Sequence, residues 1–134
     1  MSVAGPRSRN IRTSRVLAIL AGVLLFLIGV RFLLVPESAA KTFGLARGAG
    51  PAELGAIIGL RDLWLGALAV LLAVLGEWRA LSLWFLLGAV VCIGDATIAG
   101  GSSGKALAIA FHTGSGIFCF ALGLAFWRLG RRQG

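Results

Sequence analysis

Residues 54–75 read LGAIIGLRDLWLGALAVLLAVL, an apolar segment in which two opposite charges, Arg61 and Asp62, stand side by side. Such a segment is long enough to cross a bilayer as one α-helix, which takes about 20 apolar residues. Charged side chains within a membrane-length segment are costly, so they usually face a protein interior or a water-filled cavity and have partners there. The segment therefore predicts a membrane protein in which other helices surround a buried polar layer.

The composition of the whole chain agrees with this prediction. The 134 residues are enough for one domain, and 58% of them are hydrophobic while 13% are charged, against about a quarter charged in soluble domains. Mean hydropathy is +0.94, and a soluble chain this short cannot hide so much apolar surface. Three further apolar runs cover about 16–35, 80–98 and 106–127. We therefore predict an all-α fold, a four-helix transmembrane bundle with 54–75 as its second span.

The ends of the chain are polar and basic. Residues 1–13 are expected to form a disordered basic tail, residues 14–129 the four-span transmembrane domain, and residues 130–134 a basic C-terminal tail. The first apolar run follows several arginines, as the h-region of a signal peptide would. It is longer than the roughly 7–15 residues of such a region, and three further spans follow it, so we interpret it as a retained helix.

The connections between the spans differ in length. The polar connections at 76–79 and 100–104 are short, which favours antiparallel neighbours in an up-down bundle. The glycines of the second connection predict a flexible turn there. The longer loop, 36–53, contains a stretch from Glu37 to Phe43 that fits a short interfacial helix.

Basic residues outside the spans predict the orientation of the chain, because cytoplasmic loops carry an excess of Lys and Arg. The two tails and the 76–79 connection hold eight such residues, and the other side holds three. They are Arg7, Arg9, Arg12, Arg15, Arg79, Arg128, Arg131 and Arg132 on the first side, and Lys41, Arg47 and Lys105 on the second. Both termini are therefore expected in the cytoplasm, with the protein in the cell membrane (the inner membrane if the source is bacterial).

Every span carries a polar residue near one depth. At 1.5 Å per residue, Arg31, Asp95 and His112 come about 22 Å from the cytoplasmic side, and Arg61 and Asp62 about 18–20 Å. Two arginines face two aspartates, and His112 adds a group that donates, accepts or titrates near neutral pH. We therefore take these five residues as candidate ligand-binding residues.

Small residues lie beside the polar residues on the predicted helices. One face of the second span carries Gly55, Gly59, Asp62, Gly66 and Ala69. Gly55 and Gly59 form a GxxxG pattern, which lets two helices approach closely. Small residues also share a face with Asp95 on the third span and with His112 on the fourth. Such residues around a charge indicate either close helix packing or room for a ligand.

The polar layer has a functional interpretation and a structural one. In the functional interpretation, the layer binds the polar end of a small lipophilic molecule, or acts on that molecule by acid/base catalysis as an isomerase or cyclase would. His112 and Asp95 are then the candidate catalytic residues, and Arg61 or Arg31 would hold an oxyanion or a carboxylate. In the alternative, the protein is a structural or accessory membrane subunit whose polar layer only fixes helix packing. A transporter is the weakest hypothesis, because the sequence shows no repeated or broken helix pair.

Several classes of chemistry have no motif in this chain. Cys92 and Cys119 lie in different spans, with no CxxC motif and no Cys/His spacing for zinc. We interpret them as small buried hydrophobic residues in preference to a disulfide, and we predict no metal and no cofactor. Nucleic acid is not an expected partner, because no aromatic residues alternate with the basic ones. The expected partners are the lipid bilayer, the small ligand, and a second copy of the chain or another membrane protein.

The polar residues belong to short motifs in a fixed order. The first helix ends in Arg31 and Pro36, followed by FGL at 43–45, RDLWLG at 61–66, Asp95, and HTGSG at 112–116. Over about residues 16–128 this set resembles the small four-span membrane proteins of a bacterial and fungal domain-of-unknown-function family in the DoxX-like neighbourhood. The resemblance implies a four-helix membrane bundle with Arg61, Asp62, Asp95 and His112 as signature positions, and it implies no activity. DoxX-like relatives include subunits linked to quinone and thiol redox chemistry, and the missing CxxC motif argues against thiol redox chemistry here.

The predicted orientation is tested with reporter fusions in a bacterial host. Alkaline phosphatase, which is active only outside the cytoplasm, should be active when fused after Ser103 and inactive when fused after Gly134. Green fluorescent protein at the same two positions should give the opposite pattern. The reverse result at both positions would contradict the orientation.

Overall fold

The computed structural model describes residues 6–48, 50 and 52–131. This part of the chain holds five α-helices and no strand: α1 (Pro6–Leu34), α2 (Pro36–Phe43), α3 (Ala52–Leu75), α4 (Trp78–Ser102) and α5 (Ala106–Gly130). Four of them are long and apolar enough to cross a membrane, over Asn10–Leu34, Glu53–Leu75, Trp78–Ser102 and Ala106–Gly130. These helices confirm the prediction of an all-α fold with four apolar spans, and α2 confirms the short helix predicted between the first two.

The outward faces of the four long helices are apolar. Large side chains that are more than half exposed occur on every one of them, including Leu24, Ile57, Leu87 and Ile117. Water-soluble proteins rarely expose continuous apolar surface of this extent. Together with the length of the helices, these faces indicate a multi-pass membrane protein.

Helices α1 and α3 pack backbone to backbone through glycines. A Cβ atom at Gly29 would lie 2.6 Å from the carbonyl oxygen of Gly59, and one at Gly66 would lie 2.5 Å from that of Gly22. Because the later residue of α1 meets the earlier residue of α3, the two helices are antiparallel. The face predicted on α3 is buried along its length, at Gly55, Gly59, Asp62, Gly66 and Ala69.

Helices α4 and α5 form a second antiparallel pair. The hydroxyl of Ser82 donates a hydrogen bond of 2.8 Å to the carbonyl of Gly123, and further along, a Cβ atom at Gly116 would lie 3.3 Å from the Cβ of Cys92. Near the chain termini, Trp78 stacks on Phe126 with ring centroids 5.7 Å apart. Arg15 of α1 lies over the Trp78 ring at 5.1 Å, which joins the two pairs at this end.

Helix α2 joins the two pairs at the opposite end. Pro36 begins it, where its fixed φ angle suits a helix start, and Gly44 ends it with a φ of 111° in the left-handed region. A Cβ atom at Gly44 would lie 2.8 Å and 3.0 Å from the Cβ atoms of Ala99 and Ala108. The glycine therefore serves both the helix stop and the close contact of α2 with α4 and α5.

Two boundaries differ from those predicted. The tail expected to be disordered over 1–13 is helical from Pro6 onward, because proline suits a helix start and arginine is a good helix former. Its residues 1–5 lie outside the described residues. The flexible turn expected at 100–104 is also shorter, since α4 continues through Gly100 and Gly101 to Ser102. A helical backbone satisfies its own hydrogen bonds near the apolar phase.

The glycine contacts of α3 predict which substitutions destabilise the fold. Gly66→Ala should lower the free energy of unfolding by about 1–3 kcal/mol, because the new methyl group meets the α1 backbone at Gly22 and Phe26. Gly94→Ala is the matched control, since nothing lies within 4 Å of its added Cβ, and it should be neutral or stabilising by up to about 1 kcal/mol. Unfolding by dodecyl sulfate in mixed micelles, followed by circular dichroism, measures both. Equal stability of the two variants would contradict the packing described.

Candidate functional site

Arg61 and Asp62 form an ion pair inside α3. Nε and Nη2 of Arg61 both lie 3.1 Å from Oδ1 of Asp62. Asp62 is 7% exposed and lies on the buried face of α3, between Gly59 and Gly66. The Arg61 side chain is half exposed, so the guanidinium reaches back to the carboxylate from a neighbouring face of the same helix.

Asp95 of α4 lies across from His112 of α5. The pairing of Cys92 with Gly116, and the joint contact of Ala99 and Ala108 with Gly44, bracket these two residues in the antiparallel register. The Asp95 carboxylate is within electrostatic range of His112, Arg61 and Asp62, with His112 the strongest of the three. Four of the five candidate residues therefore come together: Arg61, Asp62, Asp95 and His112, called here the polar cluster.

The Asp95 side chain has no direct polar partner. Within the described residues it makes no hydrogen bond and no ion pair, in contrast to Asp62. Asp95 is partly buried and lies about two helical turns before the end of α4, inside its membrane-length segment. An acidic group without a protein partner at this depth is costly unless it is neutralised or meets a bound group.

His112 is held by the last carbonyl of α2. Its Nε2 lies 3.0 Å from the backbone oxygen of Phe43, and the side chain is 6% exposed. A carbonyl only accepts hydrogen bonds, so Nε2 carries a proton, and Nδ1 is the ring nitrogen left for another partner. The ring packs at 4.4 Å from the Phe43 ring and at 5.6 Å from Phe111. The bond also satisfies a carbonyl that the end of a helix leaves without an intrahelical partner.

Arg31 stands apart from the polar cluster. Its Nη2 donates to the hydroxyl of Ser38 at 3.0 Å and to that of Thr42 at 2.9 Å, and the residue is exposed. The guanidinium thereby ties the end of α1 to the outer face of α2. Ser38 and Thr42 are polar contacts that the sequence analysis did not single out, although their spacing of four residues puts them on one face of a short helix.

Two clefts on the protein surface are not lined by the polar cluster. One is an apolar groove of about 370 Å³ between α1 and α3, with Val23 and Val70 among its walls. The other, of about 490 Å³, lies beside the loop after α2 and is lined in part by Ile98 and Ser102. These two residues follow Asp95 at helical spacings of three and seven, so the second cleft opens along the face of α4 that carries Asp95.

The two cysteines contact each other's helices. Cys92 and Cys119 are free and partly buried, and they lie at the α4–α5 interface, next to Gly116 and Gly88 respectively. Across the described residues, no group of three or more His, Cys, Asp or Glu side chains is arranged to hold a metal ion. The side chains that the polar cluster itself offers are those of Arg, Asp and His.

Comparisons with known proteins identify a family and no characterised relative. A family model described as "Domain of unknown function (DUF4267)" matches residues 22–126, which includes the whole polar cluster. No curated protein matches the chain, and no solved structure matches it. The family part of the resemblance is thus confirmed, and its DoxX-like part stays a prediction.

The bond from His112 to α2 predicts how that helix responds to substitution. His112→Leu removes the donor, which should cost about 0.5–1.5 kcal/mol and speed amide hydrogen exchange at residues 40–45 by up to about tenfold. His112→Gln keeps an amide donor close to the position of Nε2 and should exchange more slowly than the leucine variant. Mass-spectrometric exchange in detergent measures both. Identical protection of α2 in the two variants would contradict a stabilising bond.

Proposed function

The chain belongs to the family described as a domain of unknown function, DUF4267, and we propose that it is a multi-pass membrane protein that binds a small lipophilic molecule at the polar cluster. The observation that carries the proposal is Asp95, an acidic side chain inside a spanning segment without a hydrogen bond or ion pair among the described residues. Intramembrane ionisable residues usually mark functional sites. The apolar part of the ligand would lie against the spans and its polar end at Asp95 and His112.

The proposal includes an up-down topology with both termini in the cytoplasm. Its support is the antiparallel packing of α1 with α3 and of α4 with α5, together with the excess of Lys and Arg in the tails and the 76–79 connection. In this orientation α2 and the polar cluster belong to the half of the bilayer away from the cytoplasm. A ligand would then enter from the non-cytoplasmic leaflet or from that surface.

Proton transfer is the chemistry that Asp95 and His112 support in the acid/base form of the proposal. Nδ1 of His112 is the ring nitrogen that Phe43 does not engage, and His112 is the strongest electrostatic neighbour of Asp95 in the cluster. General acid–base catalysis places a titratable side chain within hydrogen-bond reach of the proton that it moves, and Asp95 and His112 would supply two such groups. Arg31 has no part in this form of the proposal, because its Nη2 is directed to Ser38 and Thr42.

In the alternative, the protein is an accessory membrane subunit that contacts a partner protein. The contact surface would differ from the one that the GxxxG pattern of Gly55 and Gly59 suggested. Gly59 packs against Gly29, and Gly55 against Pro36, inside the protein, so this face is not free for a partner. Gly94 and Gly114 have no atom within 4 Å of an added Cβ, and small exposed residues of this kind allow another helix to approach closely. These open positions are the observation in favour of the alternative.

Native mass spectrometry of the protein, extracted gently from its own membrane, tests the proposal. The wild type should retain a small molecule, and Asp95→Asn and His112→Gln should lose most of it. Thr97→Val is the matched control, because Thr97 is exposed two residues from Asp95 and bonds only within its own helix, to Ile93. This variant should retain the molecule as the wild type does.

Two results would overturn the proposal. In the first, the wild type retains no small molecule, and a protein partner is found on the wild type and on every variant. This result would favour the accessory subunit. The other is equal retention of the small molecule by all four proteins, which would place its site away from the polar cluster. Circular dichroism of each variant separates loss of the ligand from loss of the fold.

A further inference from the structure

The hydrogen bonds that the cations near the polar cluster make are directed to groups other than Asp95. Both nitrogens of Arg61 that are near Asp62 point to its Oδ1. Nε2 of His112 donates to the carbonyl of Phe43. Arg31, the remaining cation of the predicted layer, donates to Ser38 and Thr42 on α2. None of these hydrogen bonds reaches the Asp95 carboxylate.

The acceptors of the cluster, in contrast, are open. Both oxygens of Asp95 are without a hydrogen-bond partner among the described residues. Nδ1 of His112 is the ring nitrogen that Phe43 does not engage, and it accepts a hydrogen bond when the ring is neutral. With His112 counted as neutral, Arg61 and Asp62 balance each other and Asp95 adds one formal negative charge to the cluster. This holds although the chain as a whole carries a net charge of +8. At Asp95 the described residues therefore supply neither a hydrogen-bond donor nor a cation in direct contact.

From this imbalance we propose that the ligand is a lipophilic amine, bound as its ammonium ion with Asp95 as counter-ion and His112 as a second acceptor. The inference rests on the proposed function and names the chemical class of its ligand. An ammonium group brings three donors and one positive charge, which complement the carboxylate of Asp95 and Nδ1 of His112. A carboxylate ligand would instead meet Asp95 as a like charge in a medium of low polarity, where such repulsion is strong.

The cleft beside the loop after α2 supplies a route for such a ligand. Its walls include Ile98 and Ser102, which share a face of α4 with Asp95. Ser102 holds the loop by accepting a hydrogen bond of 3.0 Å from the backbone amide of Ala46. An amine would pass this point head first, with its apolar part remaining against the apolar faces of α4 and α5.

The test compares three probes of one shape and three head groups: 1-adamantylamine, 1-adamantanol and 1-adamantanecarboxylate. Equilibrium dialysis at pH 7 and 150 mM salt measures their binding to the protein in phosphatidylcholine nanodiscs, with empty nanodiscs subtracted. The amine should bind the wild type at least about tenfold more tightly than either analogue, as expected of a desolvated charge pair. The net charge of the protein favours the carboxylate, so nonspecific attraction cannot produce this order.

Substitution of Asp95 tests whether this residue causes the preference for the amine. Asp95→Asn should weaken amine binding by about tenfold or more, and Thr97→Val should leave it unchanged. In the wild type, isotope-edited infrared spectra of labelled aspartate should show a carboxylate band that shifts when the amine is added, a measurement independent of the folding of any variant. Tighter binding of the alcohol or the carboxylate, with loss in Asp95→Asn, would overturn the amine while keeping the site. No binding of any probe, with no molecule retained from the native membrane, would overturn both proposals.

Discussion

Charge inside a membrane-length helix has to be kept away from lipid, and the packing of α3 against α1 follows from this constraint at Asp62. Gly59 and Gly66 stand on either side of the carboxylate and let the backbone of α1 approach to contact distance. The same close approach buries Asp62 to 7% exposure. Arg61 then supplies the opposite charge from within the same helix, so this half of the fold needs no charge from another element.

Helix α2 connects the α1–α3 pair, which buries Asp62, to the α4–α5 pair. It begins at a proline that touches the Gly55 position of α3, and it ends at a glycine that touches α4 and α5. Its last carbonyl fixes the His112 ring and thereby its protonated nitrogen. Arg31 fixes the opposite face of the same helix through two hydroxyl groups. A helix of eight residues thus determines which hydrogen-bonding groups of the cluster remain open.

The sequence predicts much of this arrangement because hydropathy and helical spacing are local properties. The four spans, the buried face of α3 and the residues Asp62, Asp95 and His112 follow from the length of apolar runs and the 3.6-residue period. The depth of a residue along a helix, however, does not specify to which side of the helix its side chain points. Arg31 has the depth of the polar layer but is directed to Ser38 and Thr42, contacts made across the break between two helices. The pairing of α1 with α3 and of α4 with α5 also depends on tertiary packing that spacing alone does not specify.

The central claim is that Asp95 is left without a protein partner and meets a bound molecule. The most direct measurement is an experimental structure of the protein extracted from its native membrane without exchange of its lipids. We predict non-protein density within about 3 Å of the Asp95 carboxylate, continuing between the apolar faces of α4 and α5. An Asp95 side chain paired with a protein cation such as Arg31, with no added density beside it, would contradict the account.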